Sequence, residues 1–144
     1  MLHLGRAAFL LALGLCASAA PALAVDFSGA WHIDLRTATQ RQQKVECGAA
    51  RFTLSQVGDR VTGEHSLATP GCGRLNEGGT VKGVVVGTTA ILAVTSGRNG
   101  AIVLGKATRR GSHLHWVTME ELTPGDTQGD SPLILGEGVL SREK

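Results

Sequence analysis

The sequence predicts an all-β domain, an eight-stranded antiparallel barrel with up-and-down connectivity. Three observations carry that expectation. Short runs rich in Val, Ile, Leu and Thr are punctuated by glycine-centred turns, the spacing of sandwiches and barrels. No helical stretch stands out beyond the first two dozen residues. A Val-x-Gly motif recurs as Val61-Thr62-Gly63, Val81-Lys82-Gly83 and Val103-Leu104-Gly105, a period of about twenty residues, roughly one hairpin. A glycine inside a strand marks a sharp bend, as at a barrel corner, or else the strand's end. Eight strands joined in order close naturally, because closure removes exposed edges. Such a barrel is filled by its side chains or holds one small ligand.

Residues 1–24 read as a signal peptide and residues 25–144 as the single domain. His3 and Arg6 give a weakly basic start, Ala7–Leu15 is apolar, and Ala22-Leu23-Ala24 is a small-x-small cleavage site. The uncharged stretch from Ala7 to Val25 also leaves an uncleaved anchor open, although Pro21 and the alanines favour cleavage. Cys16 does not read as a lipoprotein site, since the residue before it is Leu15 rather than a small one.

The first strand is Gly29–Arg36, where Trp31, Ile33 and Leu35 alternate with His32, Asp34 and Arg36. Thr37–Glu46 is polar and reads as a loop or one helical turn. Ala50–Val57 and Val61–Leu67 form a hairpin about Gly58-Asp59-Arg60, and Ala68–Arg74 is a turn region. Gly79–Val86 and Thr89–Thr95 flank Gly87-Thr88. Ser96–Gly100 is a turn before Ala101–Thr108, and Arg109-Arg110-Gly111 leads into Ser112–Leu122. Thr123–Pro132 is a long loop, and Leu133–Ser141 is the last strand.

Cys47 and Cys72 remain after leader cleavage, and an even pair in an exported chain is most simply a disulfide. Closing a loop of roughly 25 residues contributes about 3–4 kcal/mol in the chain-entropy picture. Two free thiols are the alternative. A metal site lacks the usual second pair of ligands.

The chain carries 14 basic and 12 acidic side chains, and loss of Arg6 leaves the domain nearly neutral. No long like-charge run occurs, and the domain's aromatic residues are Phe27, Trp31, Phe52 and Trp116. Both facts argue against nucleic-acid binding and against a large aromatic sugar platform.

At Phe27-Ser28-Gly29-Ala30-Trp31 the chain resembles the opening of a lipocalin-like (calycin-type) barrel, which has Gly-x-Trp at the start of strand one. The resemblance implies that Trp31 packs under the barrel against a basic residue near the last strand, here Arg142, as a cation–π pair. It implies a short bacterial lipocalin-like domain. The other lipocalin motifs, the long C-terminal helix and the tryptophan-rich biotin pocket of avidins are not matched.

Catalytic patterns are thin. No Gly-x-Ser-x-Gly elbow appears, and Glu120-Glu121 are neighbours that a regular strand points to opposite faces. The expectation is a non-enzyme without a cofactor. His113 and His115 share a strand face and, with Glu64, His65 or His32, form a weak candidate metal set that lacks a defined convergence. Arg98 and Asn99 in one turn, with Asp126 and Asp130 in another, are candidate loop binding residues. Ordinary turn chemistry also explains them.

The expected role is exported, non-catalytic binding, periplasmic or secreted, with no stable membrane insertion after cleavage. One reading places a small apolar or amphipathic ligand in the barrel, lined by runs such as Val84-Val85-Val86, Ile91-Leu92 and Ile102-Val103-Leu104. An interior filled by those side chains argues against it. The other is an envelope protein partner, as for a protease or lysozyme inhibitor, met by Val25–Ser28, Ser96–Gly100 or Pro124–Pro132. A third is an envelope accessory protein with no ligand.

Overall fold

The computed structural model describes residues 25–126 and 131–144. The leader reading and Asp130 lie outside the described residues. Among the described residues the strands are β1 (Gly29–Asp34), β2 (Cys47–Val57), β3 (Arg60–Pro70), β4 (Leu75–Val86), β5 (Thr89–Thr95), β6 (Ile102–Arg110), β7 (His113–Thr123) and β8 (Glu137–Arg142), with one short helix, α1 (Ala38–Gln42). They form a closed antiparallel barrel in sequence order. β1 meets β8 through Trp31 opposite Arg142 and His32 opposite Ser141. The all-β barrel expectation is borne out.

The lower end is made by three two-residue hairpins, Gly58-Asp59, Gly87-Thr88 and Gly111-Ser112. In each, glycine comes first with φ near +60°, the type II′ signature, whose twist matches that of the flanking strands. At the upper end Cys47 and Cys72 form a disulfide with Cα atoms 5.3 Å apart, tying the start of β2 to the turn after β3. The polar stretch after β1 forms the short helix α1. Thr37 caps it: its hydroxyl accepts from Gln40 N, and the Gln40 side chain accepts from Thr37 N.

The recurring Val-x-Gly motifs have a packing reason. Val61 lies opposite Gly83, and Val81 opposite Gly63, so the first two copies pair with each other across β3 and β4. Leu92 likewise lies between Gly83 and Gly105. A Cβ on Gly63 would sit 2.0 Å from the Thr53 carbonyl oxygen, and one on Gly83 2.0 Å from that of Ile91. These glycines are mid-strand, where neighbouring backbones press together as the sheet coils. A Cβ on Gly105 would instead sit 2.2 Å from Cη2 of Trp116.

The core runs the length of the barrel: Phe27, Trp31, Phe52, Leu92, Leu114 and Leu140 are all fully buried. Phe52 joins Trp116 and His65 at ring centroid separations of 5.0 and 4.6 Å.

Several strand boundaries shift: β1 ends at Asp34 rather than Arg36, β2 begins at Cys47 rather than Ala50, and β3 runs to Pro70 rather than Leu67; the two largest shifts are at the starts of β4 and β8. β4 begins at Leu75, not Gly79, because Asn76 is drawn inward and paired there. The last strand begins at Glu137, not Leu133. Leu133 has φ +48°, outside extended geometry, and residues 131–136 form a strap whose Pro132, Leu133 and Leu135 are held by side chains, with one backbone bond from Thr118 N to Gly136 O.

Candidate functional site

Both ends of the barrel are closed by the chain itself. At the lower end Phe27 is wholly buried, and its carbonyl accepts from Trp31 Nε1 at 3.0 Å. The Gln56 side chain accepts from Phe27 N at 2.8 Å, and Ser28 Oγ accepts from Gln56 N at 3.0 Å. The Arg142 guanidinium lies 5.4 Å from the Trp31 ring centroid, and Arg109 lies 5.8 Å from it. The structure thus brings Trp31 and Arg142 together and adds Arg109, which the sequence did not single out. Arg142 donates to Ser28 O at 2.7 Å, and Arg109 donates to Asp26 O. Gly29 leaves room for this arrangement, since a Cβ there would sit 2.9 Å from Arg142 Nε. Asp26 accepts from Ser28 N at 2.8 Å, and that bond holds its carboxyl below the usual range.

At the upper end the strap crosses the mouth. Four strands, or the loop one of them leads into, supply a hydrogen bond to its backbone. From β7, Trp116 Nε1 donates to Leu135 O at 2.6 Å and Thr118 Oγ1 to the same oxygen at 3.1 Å. From β4, Asn76 Nδ2 donates to Leu133 O at 3.1 Å. Just beyond β5, Ser96 Oγ donates to Pro132 O at 2.8 Å. From β3, His65 Nε2 accepts from Leu135 N at 3.3 Å. The buried polar groups at this end therefore face the protein's own peptide units. His65 Nδ1 is buried without a partner, and burial pushes the imidazole's pKa down to about 4.

The candidate loops meet at this same end. Asp126 N donates to Asn99 O at 2.9 Å, and Asn99 Oδ1 accepts from Ala101 N at 3.1 Å. Arg98 donates to Leu75 O at 2.9 Å. Arg98, Asn99 and Asp126 thus buttress the loops beside the strap. The N-terminal arm is held at the opposite end, so the three candidate segments form no common surface.

The histidines do not converge. His65 points into the core, and His32 lies on the outside 3.8 Å from Glu143, which Arg51 also engages. His113 and His115 face outward, while Leu114 and Trp116 are buried between and beside them. Among the described residues no three His, Cys, Asp or Glu side chains are grouped to hold a metal. Glu120 and Glu121 are both exposed, next to a register shift between β6 and β7.

A groove of about 520 Å³ lies outside the wall, across β6, β7 and β8. Lys106, Arg110, His115, Val117, Glu137 and Val139 line it. In register, Lys106 faces Val117, which faces Glu137, and the next row is Thr108, His115 and Val139. Sequence reasoning missed this site and the strap contacts. The available signal was alternation: Lys106, Thr108 and Arg110 occupy outward positions of one strand, Asn76 is a buried polar residue within β4, and Ser96 one just past the end of β5.

Among the described residues no helix is long and apolar enough to cross a membrane. No family model, curated protein or solved structure matches the chain. What the fold and site define is a closed eight-stranded barrel with the Cys47–Cys72 disulfide, a filled centre and an open outer groove.

Proposed function

We propose that this is an exported, non-catalytic, lipocalin-like module that engages an envelope protein partner through its outside, not a carrier of a small ligand inside the barrel. The observation that carries this reading is the strap. His65, Asn76, Ser96, Trp116 and Thr118, the polar groups at the mouth where a ligand would be recognised, bond the backbone of Pro132, Leu133 and Leu135. Below them the space is taken by Phe52, Leu92, Trp116 and Leu114. A ligand pocket is concave, with a few polar groups aimed into it; here those groups aim at the chain. The disulfide supports an oxidising compartment.

Native mass spectrometry on protein purified without denaturation from an exporting host tests this. The expected spectrum is the bare oxidised chain. An adduct of a few hundred daltons that leaves on unfolding would return the barrel-ligand reading.

A further inference from the structure

We infer that the outer groove of β6–β8 is the partner-binding site, and that it takes an extended acidic segment with an apolar residue between two carboxylates. This rests on the outer-surface reading above and names the partner's chemistry.

The groove has the parts such a segment needs. Lys106 and Arg110 are exposed on the outer face of β6. Neither makes an ion pair or a side-chain hydrogen bond among the described residues, in contrast to Arg36, Arg51, Arg109 and Arg142. Two cations held at the rim of a cleft attract an anion without first giving up an internal partner. Between and beyond them Val117 and Val139 supply an apolar floor, and Val139 is 48% exposed. His115 lies beside that floor, in the row between Lys106 and Arg110.

The spacing selects the ligand. Lys106 and Arg110 are four residues apart on one strand, a separation of about 13 Å at the rise of an extended chain. Carboxylates at positions i and i+4 of an extended peptide have the same separation. The side chain at i+2 points the same way as both and lies over the row of Thr108, His115 and Val139. The backbones of β6, β7 and β8 are paired with one another, so recognition runs through side chains and not through an added strand. Glu137, across Val117 from Lys106, repels a segment shifted toward β8 and so fixes which side of the groove the carboxylates take.

The test is a titration of the ¹⁵N-labelled protein, followed by amide chemical shifts, with the blocked peptide Asp-Ser-Leu-Ser-Asp. The expected shifts centre on Lys106, Arg110, Val117 and Val139, and weaken as salt is raised. The double reversal Lys106→Glu and Arg110→Glu is expected to weaken binding roughly tenfold or more. Glu137→Gln is expected to tighten it. These outward substitutions leave the core untouched, and the unliganded spectrum checks the fold. No shift, equal shifts with Lys in place of both Asp, shifts on another face, or equal shifts with acetate alone would each overturn the proposal. A silent titration with a bare native mass removes only the acidic-segment proposal. A small-molecule adduct in the native mass removes the outer-surface reading as well.

Discussion

Trp116 Nε1 donates to Leu135 O at 2.6 Å, and this bond joins the barrel's wall to the strap across its mouth. The indole that makes it also rests on Gly105, where a Cβ would lie 2.2 Å from the ring. One residue thus links the filled centre to the closed end. Trp116→Phe keeps most of the ring but leaves Leu135 O with the Thr118 hydroxyl alone. The expected loss is about 1–2 kcal/mol, read as a lower denaturant midpoint with an unchanged slope.

Asn76→Leu is expected to cost more. Asn76 is fully buried and serves two backbone groups, Leu133 O at 3.1 Å and Gly97 N at 3.1 Å. Each buried group left unpaired costs roughly 1–3 kcal/mol. Urea unfolding of the variant, beside Trp116→Phe, checks the order.

The glycines separate by what surrounds them. Gly83→Ala places a Cβ 2.0 Å from Ile91 O, a backbone atom that moves only with its strand. Gly87 has nothing within 4 Å of its missing Cβ and φ +63°, so alanine there meets only left-handed strain. The expected loss is about 1 kcal/mol for Gly87→Ala and at least about 3 kcal/mol for Gly83→Ala, the scale of core overpacking. Equal midpoints for the two variants would contradict the close-approach account.

His65 gives a pH dependence with a definite sign. Its folded pKa is pushed down to about 4 from the ordinary 6.5 by burial. Between those values the unfolded chain binds a proton that the folded one does not, so stability falls as pH falls. The contribution is fully present above about pH 6.5 and fully lost below about pH 4, a change on the order of 3 kcal/mol. Protonation also puts a donor on Nε2, opposite the Leu135 N–H it now accepts. Denaturation of the wild type and His65→Gln across this range is expected to show a steeper acid loss in the wild type.

Reduction of the Cys47–Cys72 bond, 25 residues apart in sequence, is expected to cost about 3–4 kcal/mol in the chain-entropy picture. Thermal melts with and without reductant, and of Cys47→Ser/Cys72→Ser, measure it.

The barrel was legible because turn glycines and period-two apolar runs are local signals. The Val-x-Gly repeat also placed Gly63, Gly83 and Gly105 inside their strands, where the close approaches occur. The disulfide was legible because the domain has only two cysteines. The strap was not: Leu133-Ile134-Leu135 reads as strand, and only the positive φ of Leu133 and the inward polar groups turn it across the mouth. The outer groove was not legible either, since it needs β6, β7 and β8 in register. The contribution of Arg109 at Trp31 was hidden for the same reason, the two being 78 positions apart in sequence.

Hydrogen exchange at the Leu135 amide, which donates to buried His65, separates a strap that belongs to the closed barrel from one that acts as a gate. The expected exchange is as slow as at the amides of Leu114 and Leu140, through global unfolding alone. Exchange at Leu135 that is orders of magnitude faster than at those strands would show the mouth opening by itself, and would contradict a filled, self-closed barrel.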